Sequence, residues 1–195
     1  MTNQRVPLPQ ELAPLEESDP QTIGPFQVIG RLGAGGMGVV YGGLDGAGRC
    51  VAVKVILPRF AEQNDYREQF EREVELLRSL DAECVPTFFG ADPQADQPWM
   101  ATEFVSGRTF SEHVRAFGAL TGPALRVFAA GTAEAIAAIH DAGVLHRDIK
   151  PGNVMLSPHG PKILDFGIAR SATESGIEHG IYGTPGYLAP ERLSA

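Results

Sequence analysis

The sequence predicts an α+β fold built as two lobes, an antiparallel sheet first and helices second. Two observations carry that reading. Between Phe26 and Val105 the chain alternates short β-branched and aromatic runs with glycine- and proline-rich breaks, the pattern of antiparallel strands joined by turns. Beyond Gly107 apolar residues recur at intervals of three and four, the pattern of helices with one buried face. We find no internal repeat, so the two halves are not copies of one another.

Taken in order, residues 1–21 read as a disordered, proline-rich acidic tail. Pro7, Pro9, Pro14 and Pro20 interrupt it, and Glu11, Glu16, Glu17 and Asp19 stand against the lone Arg5, leaving too little apolar surface to offset the entropy of ordering. Three antiparallel strands follow, at Phe26-Gln27-Val28-Ile29, Val39-Val40-Tyr41 and Cys50-Val51-Ala52-Val53-Lys54-Val55. From Asp65 to Leu80 the spacing of Tyr66, Phe70, Leu77 and Leu80 predicts a helix. Glu73 falls on the same face, three residues from Phe70 and four from Leu77. A carboxylate among apolar neighbours is costly unless a cation pairs with it. Phe88-Phe89 and Trp99 to Val105 read as two further strands, joined through the turn-rich stretch Asp92 to Pro98. A short helix is predicted near Ser111 to Phe117. A long one follows, capped by Thr121 or Gly122, with Pro123 in its first turn, Leu125, Phe128, Thr132, Ile136 and Ile139 as its buried stripe, and Gly143 as its stop.

Composition narrows the function classes. Of 195 residues 43% are hydrophobic, enough for one domain of two lobes, and 16 basic against 24 acidic residues leave a net charge of −8. That balance argues against nucleic acid and anionic membranes as partners. Cys50 and Cys84 lie far apart without Cys-x-x-Cys spacing, so they read as free thiols of a reducing cytoplasm. No apolar run approaches the length of a bilayer span, and the first residues lack the regions of a signal peptide.

The chemistry is written in the motifs. Gly33-Ala34-Gly35-Gly36-Met37-Gly38 is a weak signal alone, because the same spacing opens dinucleotide-binding folds. A dinucleotide fold needs a helix directly after the glycines. Here Val39-Val40-Tyr41 follows, and no G-x-x-x-x-G-K-[ST] run is present, so the glycines sit in a hairpin whose backbone N–H groups can close over phosphate. Lys54 lies sixteen residues after Gly38 in an apolar strand; alone it reads equally well as a solvated lysine, but Glu73 offers it a partner. His146-Arg147-Asp148, Asn153 and Asp165-Phe166-Gly167 complete the series. Phosphoryl transfer needs a carboxylate to orient and deprotonate a hydroxyl and further oxygens to hold Mg²⁺ on the phosphates, and Asp148, Asn153 and Asp165 are the right types in the right order.

With the glycine hairpin, the Val-Ala-Val-Lys strand, the His-Arg-Asp and Asp-Phe-Gly tripeptides and the closing Gly183-Thr184-Pro185-Gly186-Tyr187-Leu188-Ala189-Pro190-Glu191, residues 22–195 resemble the eukaryotic-like Ser/Thr protein kinases, bacterial branch. The resemblance implies a first lobe of about residues 22–103 and a partial second lobe of about 104–195. It implies transfer of the ATP γ-phosphoryl group to protein serine or threonine, with ATP and Mg²⁺, or Mn²⁺ in its place. Leu32, Gly33, Gly35 and Gly38 would cover the nucleotide, Val40, Ala52 and Met155 would sandwich adenine, and the backbone at Glu103 and Val105 would bind its edge. Lys54 would contact the α- and β-phosphates with Glu73 as partner, Asp148 would serve as base and Lys150 would reach the γ-phosphate. Asn153 and Asp165 would be the metal ligands. His146 reads as a packing residue under Phe166. Ser171, Thr173, Ser175 and Tyr182 lie in the segment between the two closing motifs, where autophosphorylation, with self-association of the chain, is expected; hydroxyls are also simply common in loops.

The sequence departs from the family at Asp81-Ala82-Glu83-Cys84, where a His-Pro-Asn-like turn is usual, and it ends four residues after Glu191. The expectation is therefore a fragment of a longer, cytoplasmic kinase, poorly stable and weakly active alone, with any membrane anchor left to residues beyond 195. The rival reading is a kinase-like module that holds nucleotide or a partner without chemistry. A small-molecule phosphotransferase is a minor third, disfavoured by the long segment ending at Glu191.

Overall fold

The computed structural model describes residue 9 and residues 11–35, 38–165, 186–187 and 189–190. The chain divides into two compact units, Met1–Gln63 with Phe88–Ser106, and Asn64–Thr87 with Gly107–Ala195.

The first unit is a six-stranded antiparallel sheet. Its strands are β1 (Thr22–Ile23), β2 (Phe26–Ala34), β3 (Gly38–Leu44), β4 (Cys50–Ile56), β5 (Phe88–Asp92) and β6 (Trp99–Glu103), in the order β1-β2-β3-β4-β6-β5. A single turn of helix, α1 (Pro58–Ala61), follows β4. Alternation along β4 buries Val51, Val53 and Val55 on one face, while Ala52 and Lys54 are half-buried on the other. The buried face packs with Ile23, Phe26, Val28, Tyr41 and Ala101 into one core, with Leu15, Val39 and Trp99 at its margin. The Phe26 and Trp99 rings meet edge to face, 5.7 Å between centroids.

The expected disordered tail does not hold for residues 11–21. Ala13 and Arg31 form a backbone bridge through two hydrogen bonds of 2.8 and 2.9 Å, and Asp19 is only 7% exposed. A count of prolines and acids missed this because Leu12 and Leu15, few as they are, land on a sheet edge that gives them a surface to bury.

The second unit holds α2 (Asn64–Ser79), β7 (Arg108–Thr109), α3 (Phe110–Phe117), α4 (Gly122–Asp141), a 3₁₀ turn at Pro151–Asn153, β8 (Val154–Ser157) and β9 (Gly160–Ile163). Strands β7, β8 and β9 form a small antiparallel sheet that the sequence reading did not anticipate. α2 buries Gln69, Phe70, Glu73, Val74 and Leu77; of the expected stripe Phe70, Glu73 and Leu77 are buried, while Tyr66 is half-buried and Leu80, also half-buried, lies past the helix end. The lobe boundary expected near residue 103 falls at Ser106, and 64–87, expected in the first lobe, groups with the second. Hydrogen bonds explain that: the Ile163 N–H donates to the Cys84 carbonyl at 2.8 Å, and the Cys84 thiol points at the Ala135 carbonyl, 3.6 Å away. α3 opens on a reciprocal cap, the Thr109 hydroxyl accepting from the Glu112 N–H and the Glu112 carboxylate from the Thr109 N–H. α4 stops at Gly143, whose φ of 76° suits glycine.

One stripe is corrected. On α4 only Ala135 and Ile139 are buried; Leu125 is 44% exposed, Phe128, Thr132 and Ile136 are half-buried, and Val127 is 72% exposed. Helical period selects a face, but burial needs an element lying against it. Among the described residues β9 packs on α4, with Pro161 against Gly131, and the Phe110 ring meets Phe128 at 4.3 Å between centroids, while Leu125 and Val127 stay exposed. No described helix is long and apolar enough to cross a membrane.

Candidate active site

In the first unit, β2 and β3 are the stems of the glycine-rich hairpin. Gly33, Ala34 and Gly35 are exposed, and the Gly35 N–H donates to the Gly38 carbonyl at 2.9 Å; Gly36 and Met37 lie outside the described residues. Leu32 is half-buried at the irregularity in pairing between Arg31 and Gly33. Across β3 and β4, Val40 faces Lys54 and Gly42 faces Ala52, so Val40, Ala52 and Lys54 share the face turned away from the core. On the other side of β4, Lys54 faces Met100 and Ala52 faces Thr102. Glu103 closes β6 and Val105 follows, both half-buried.

In the second unit, the segment His146–Asn153 is folded around the Asp148 side chain. Asp148 is 9% exposed, and its Oδ2 accepts from the Lys150 ammonium at 2.7 Å and from the Asn153 Nδ2 at 3.1 Å. The same Asn153 Nδ2 donates to the Asp148 carbonyl at 2.9 Å, and the Asn153 N–H to the Lys150 carbonyl at 2.9 Å. The spacing explains the convergence: the 3₁₀ turn beginning at Pro151 reverses the chain, which carries Asn153 back onto a residue five positions earlier. The Leu164 N–H donates to the Asn153 carbonyl at 2.8 Å, which fixes the residue before Asp165. Asp165 itself is exposed.

His146 is 3% exposed, its Nε2 2.9 Å from the Leu164 carbonyl, while the Asp148 N–H approaches its Nδ1 at 3.3 Å. An Nδ1 that accepts leaves the proton on Nε2, where it is donated to Leu164. Burial pushes the imidazole pKa below its usual value, favouring that neutral form. His146 therefore braces two chain segments, in keeping with the structural role expected of it; Phe166, its expected neighbour, lies outside the described residues.

Backbone strain collects here as well. Among the described residues, Arg147 (φ 65°) and Asp165 (φ 50°) are the non-glycine residues in the left-handed region, one beside Asp148 and the other a proposed ligand.

Asp148, Lys150 and Asn153 are thus brought together, with Asp165 tied in through Leu164. Val40, Ala52 and Lys54 are brought together separately. Glu73, 1% exposed on α2, and Met155, 9% exposed on β8 opposite Lys162, belong to the second unit. Sequence reasoning did not foresee the Asp19–Arg31–Tyr41 cluster against the hairpin stems. Among the described residues no group of three or more His, Cys, Asp and Glu is arranged to hold a metal.

Comparison with known proteins identifies the family. Residues 26–195 match the protein kinase domain family. The chain is 44% identical over 186 residues to a probable serine/threonine-protein kinase, PkwA, of Thermomonospora curvata, covering 93% of this chain and 25% of that protein. It is also 44% identical over 180 residues to the serine/threonine-protein kinase AfsK of Streptomyces coelicolor, covering 91% and 22%. The chain thus spans about a quarter of the length of these curated relatives. The PknI kinase domain of Mycobacterium tuberculosis superposes with a TM-score of 0.63 at 30% identity, over 75% of this chain and 61% of that one. A structure titled PpkA-294 apo form superposes with a TM-score of 0.70 at 25% identity, over 77% and 61%. The His-Arg-Asp and Asp-Phe-Gly tripeptides, the glycine hairpin and these matches lead to one conclusion: the chain belongs to the protein kinase domain family, among the bacterial serine/threonine kinases.

Proposed function

We propose that this domain transfers the γ-phosphoryl group of ATP to serine or threonine hydroxyls of proteins. The observation that carries the reading is the Asp148 carboxylate, largely buried yet held by Lys150 and Asn153 in one orientation. A carboxylate fixed this way can orient a hydroxyl and accept its proton as the oxygen attacks phosphorus. Lys150, at 2.7 Å from Asp148, brings positive charge to where the γ-phosphate would sit, and Lys54 would hold the α- and β-phosphates with Glu73 as its partner. Gly33, Gly35 and Gly38 would cover the phosphates, Leu32, Val40, Ala52 and Met155 would bound the adenine, and backbone groups of Glu103 and Val105 would bind its edge.

The donor set fits a hard divalent cation. Asn153 turns its Nδ2 to Asp148, which directs Oδ1 the other way, and the carboxylate of Asp165 is exposed on the chain that Asn153 ties down. Amide and carboxylate oxygens suit Mg²⁺ or Mn²⁺. Such an ion would neutralise charge on the phosphates. The remaining expectations belong to the same reading: a cytoplasmic setting, protein substrates, and autophosphorylation between associated chains on Ser171, Thr173 or Ser175, which lie outside the described residues.

The test is intact-mass spectrometry of the 195-residue chain after incubation with Mg-ATP, beside an Asp148→Asn control of verified fold. Phosphate on the parent and about 10²- to 10⁴-fold less on the control is expected, the usual worth of a positioned base. No phosphate on a folded parent that still binds nucleotide would make the chain a binding module instead.

A further inference from the structure

We propose that the segment Leu12–Pro20 is a clasp that positions the glycine-rich turn, with Asp19, Arg31 and Tyr41 as positioning residues for the nucleotide. The inference rests on the reading of that turn as the phosphate cover.

The clasp grips the hairpin stems at the pair just before the irregularity that leads into the glycines. Arg31 of β2 and Tyr41 of β3 are direct cross-strand partners, and the pairing becomes irregular between Arg31 and Gly33, where the glycines begin. Asp19 ties both members together. Its Oδ2 accepts from the Arg31 Nε at 2.7 Å, and its Oδ1 accepts from the Arg31 Nη2 at 2.7 Å and from the Tyr41 hydroxyl at 2.8 Å. The Glu16 N–H donates to the same Oδ2 at 2.7 Å, and the Glu16 carboxylate takes the remaining Arg31 nitrogen, Nη1. Two parallel charge-assisted bonds fix the guanidinium in plane as well as in place.

The opposite face is gripped too. Gly42 shares the face of Ala52, and a Cβ there would lie 2.4 Å from Leu12 Cδ2; a Cβ on Gly30, its partner in β2, would lie 2.9 Å from Leu12 Cβ. Two glycines in register thus make a groove that Leu12 fills, with the Ala13 carbonyl oxygen also 2.9 Å from where a Gly30 Cβ would lie. Between Leu12 and Asp19 the segment crosses the open edge of β2 through the bridge from Ala13 to Arg31. Edge protection accounts for that bridge. It does not account for a largely buried carboxylate that joins two strands where their register shifts. A glycine turn has no side chains to anchor it, so its position is inherited from its stems. The clasp sets those stems, and interactions that hold a phosphate cover in place are felt in nucleotide affinity.

Arg31, the Glu16 N–H and Tyr41 hold the Asp19 carboxyl down to about 2, against the opposing effect of its burial, so it stays ionised wherever a cytoplasmic enzyme works.

Hydrogen exchange on the unliganded 195-residue chain tests this. Asp19→Asn and Tyr41→Phe should each accelerate exchange in peptides covering Gly33 to Gly38 by about tenfold or more, the scale of one charge-assisted bond. Exchange in β5 and β6 should match the parent. A merely structural role would raise exchange throughout the first unit, and that result overturns the inference. Titration with a fluorescent ADP analogue supplies the second readout: weaker binding in both variants, by similar factors, is expected. Unchanged binding in folded variants of a parent that binds overturns the clasp alone. A folded parent that binds no analogue overturns the reading of the turn beneath it. Should Asp19→Asn fail to fold, Tyr41→Phe and Leu12→Ala carry both measurements.

Discussion

Replacing Asn153 tests how strongly it braces Asp148. In Asn153→Ala two hydrogen bonds disappear, one to the Asp148 carbonyl at 2.9 Å and one to its carboxylate at 3.1 Å. A neutral bond contributes about 1 kcal/mol and a bond to a charged group about 1.5–3 kcal/mol, so the loss should be about 2.5–4 kcal/mol. Asn153→Asp keeps the shape and an oxygen for the cation but sets a second negative charge 3.1 Å from Asp148 Oδ2. At an effective dielectric near 20 the repulsion is about 5 kcal/mol, and still about 3 kcal/mol if the side chains part to about 5 Å. The isosteric variant should therefore be no more stable than the truncated one, a large fraction of the 5–15 kcal/mol typical of a domain. Urea unfolding in EDTA, followed by far-ultraviolet circular dichroism, measures both; Trp99 lies in the first unit and reports on that one. If Asn153→Asp proves clearly more stable than Asn153→Ala, the two side chains do not face each other as described and the reasoning fails.

Three further outcomes follow from the geometry. Gly38→Ala would set a Cβ 2.3 Å from the Val55 carbonyl oxygen; because the obstacle is backbone, about 1–3 kcal/mol should be lost, read by Trp99 fluorescence in denaturant, and an unchanged midpoint would contradict the approach. Ile163→Ala, at a residue 0% exposed, should cost about 2–5 kcal/mol by the same dichroism assay, and a loss under about 1 kcal/mol would mean the site collapses freely. The Asp19 carboxyl titrates at about 2 in the fold against about 3.9 when unfolded, so the unfolded chain binds more protons between those values and stability rises with pH there. Its contribution is complete above about pH 5 and fades as pH falls toward 2; the gap in Tm between parent and Asp19→Asn should shrink over that window, and a constant gap would count against it.

The His146–Asn153 turn was legible because it is local. Asp148, Lys150 and Asn153 lie within six residues, and the turn that joins them is announced by Pro151 and Gly152. Alternation along β4 puts Ala52 and Lys54 on one face, but Ala52 was singled out only through the family resemblance. The clasp was not: Asp19 meets residues twelve and twenty-two positions away, and nothing in a proline-rich acidic stretch marks which carboxylate will find an arginine. Gly30 and Gly42 were the readable clue, two strand glycines whose missing side chains needed a filler. β7 to β9 escaped notice because runs of two to four residues carry no period. Leu125 was placed on the right face of its helix but given a burial that period alone cannot confer.

The groove between Gly30 and Gly42 also says where this domain begins. A chain cut at Phe26, at the start of its first long strand, would keep every motif residue yet strip the partner from Arg31, the acceptor from the Tyr41 hydroxyl and the cover from a pair of glycines. Such a protein would look complete by its motifs and, on the clasp reading, hold its glycine-rich turn less firmly.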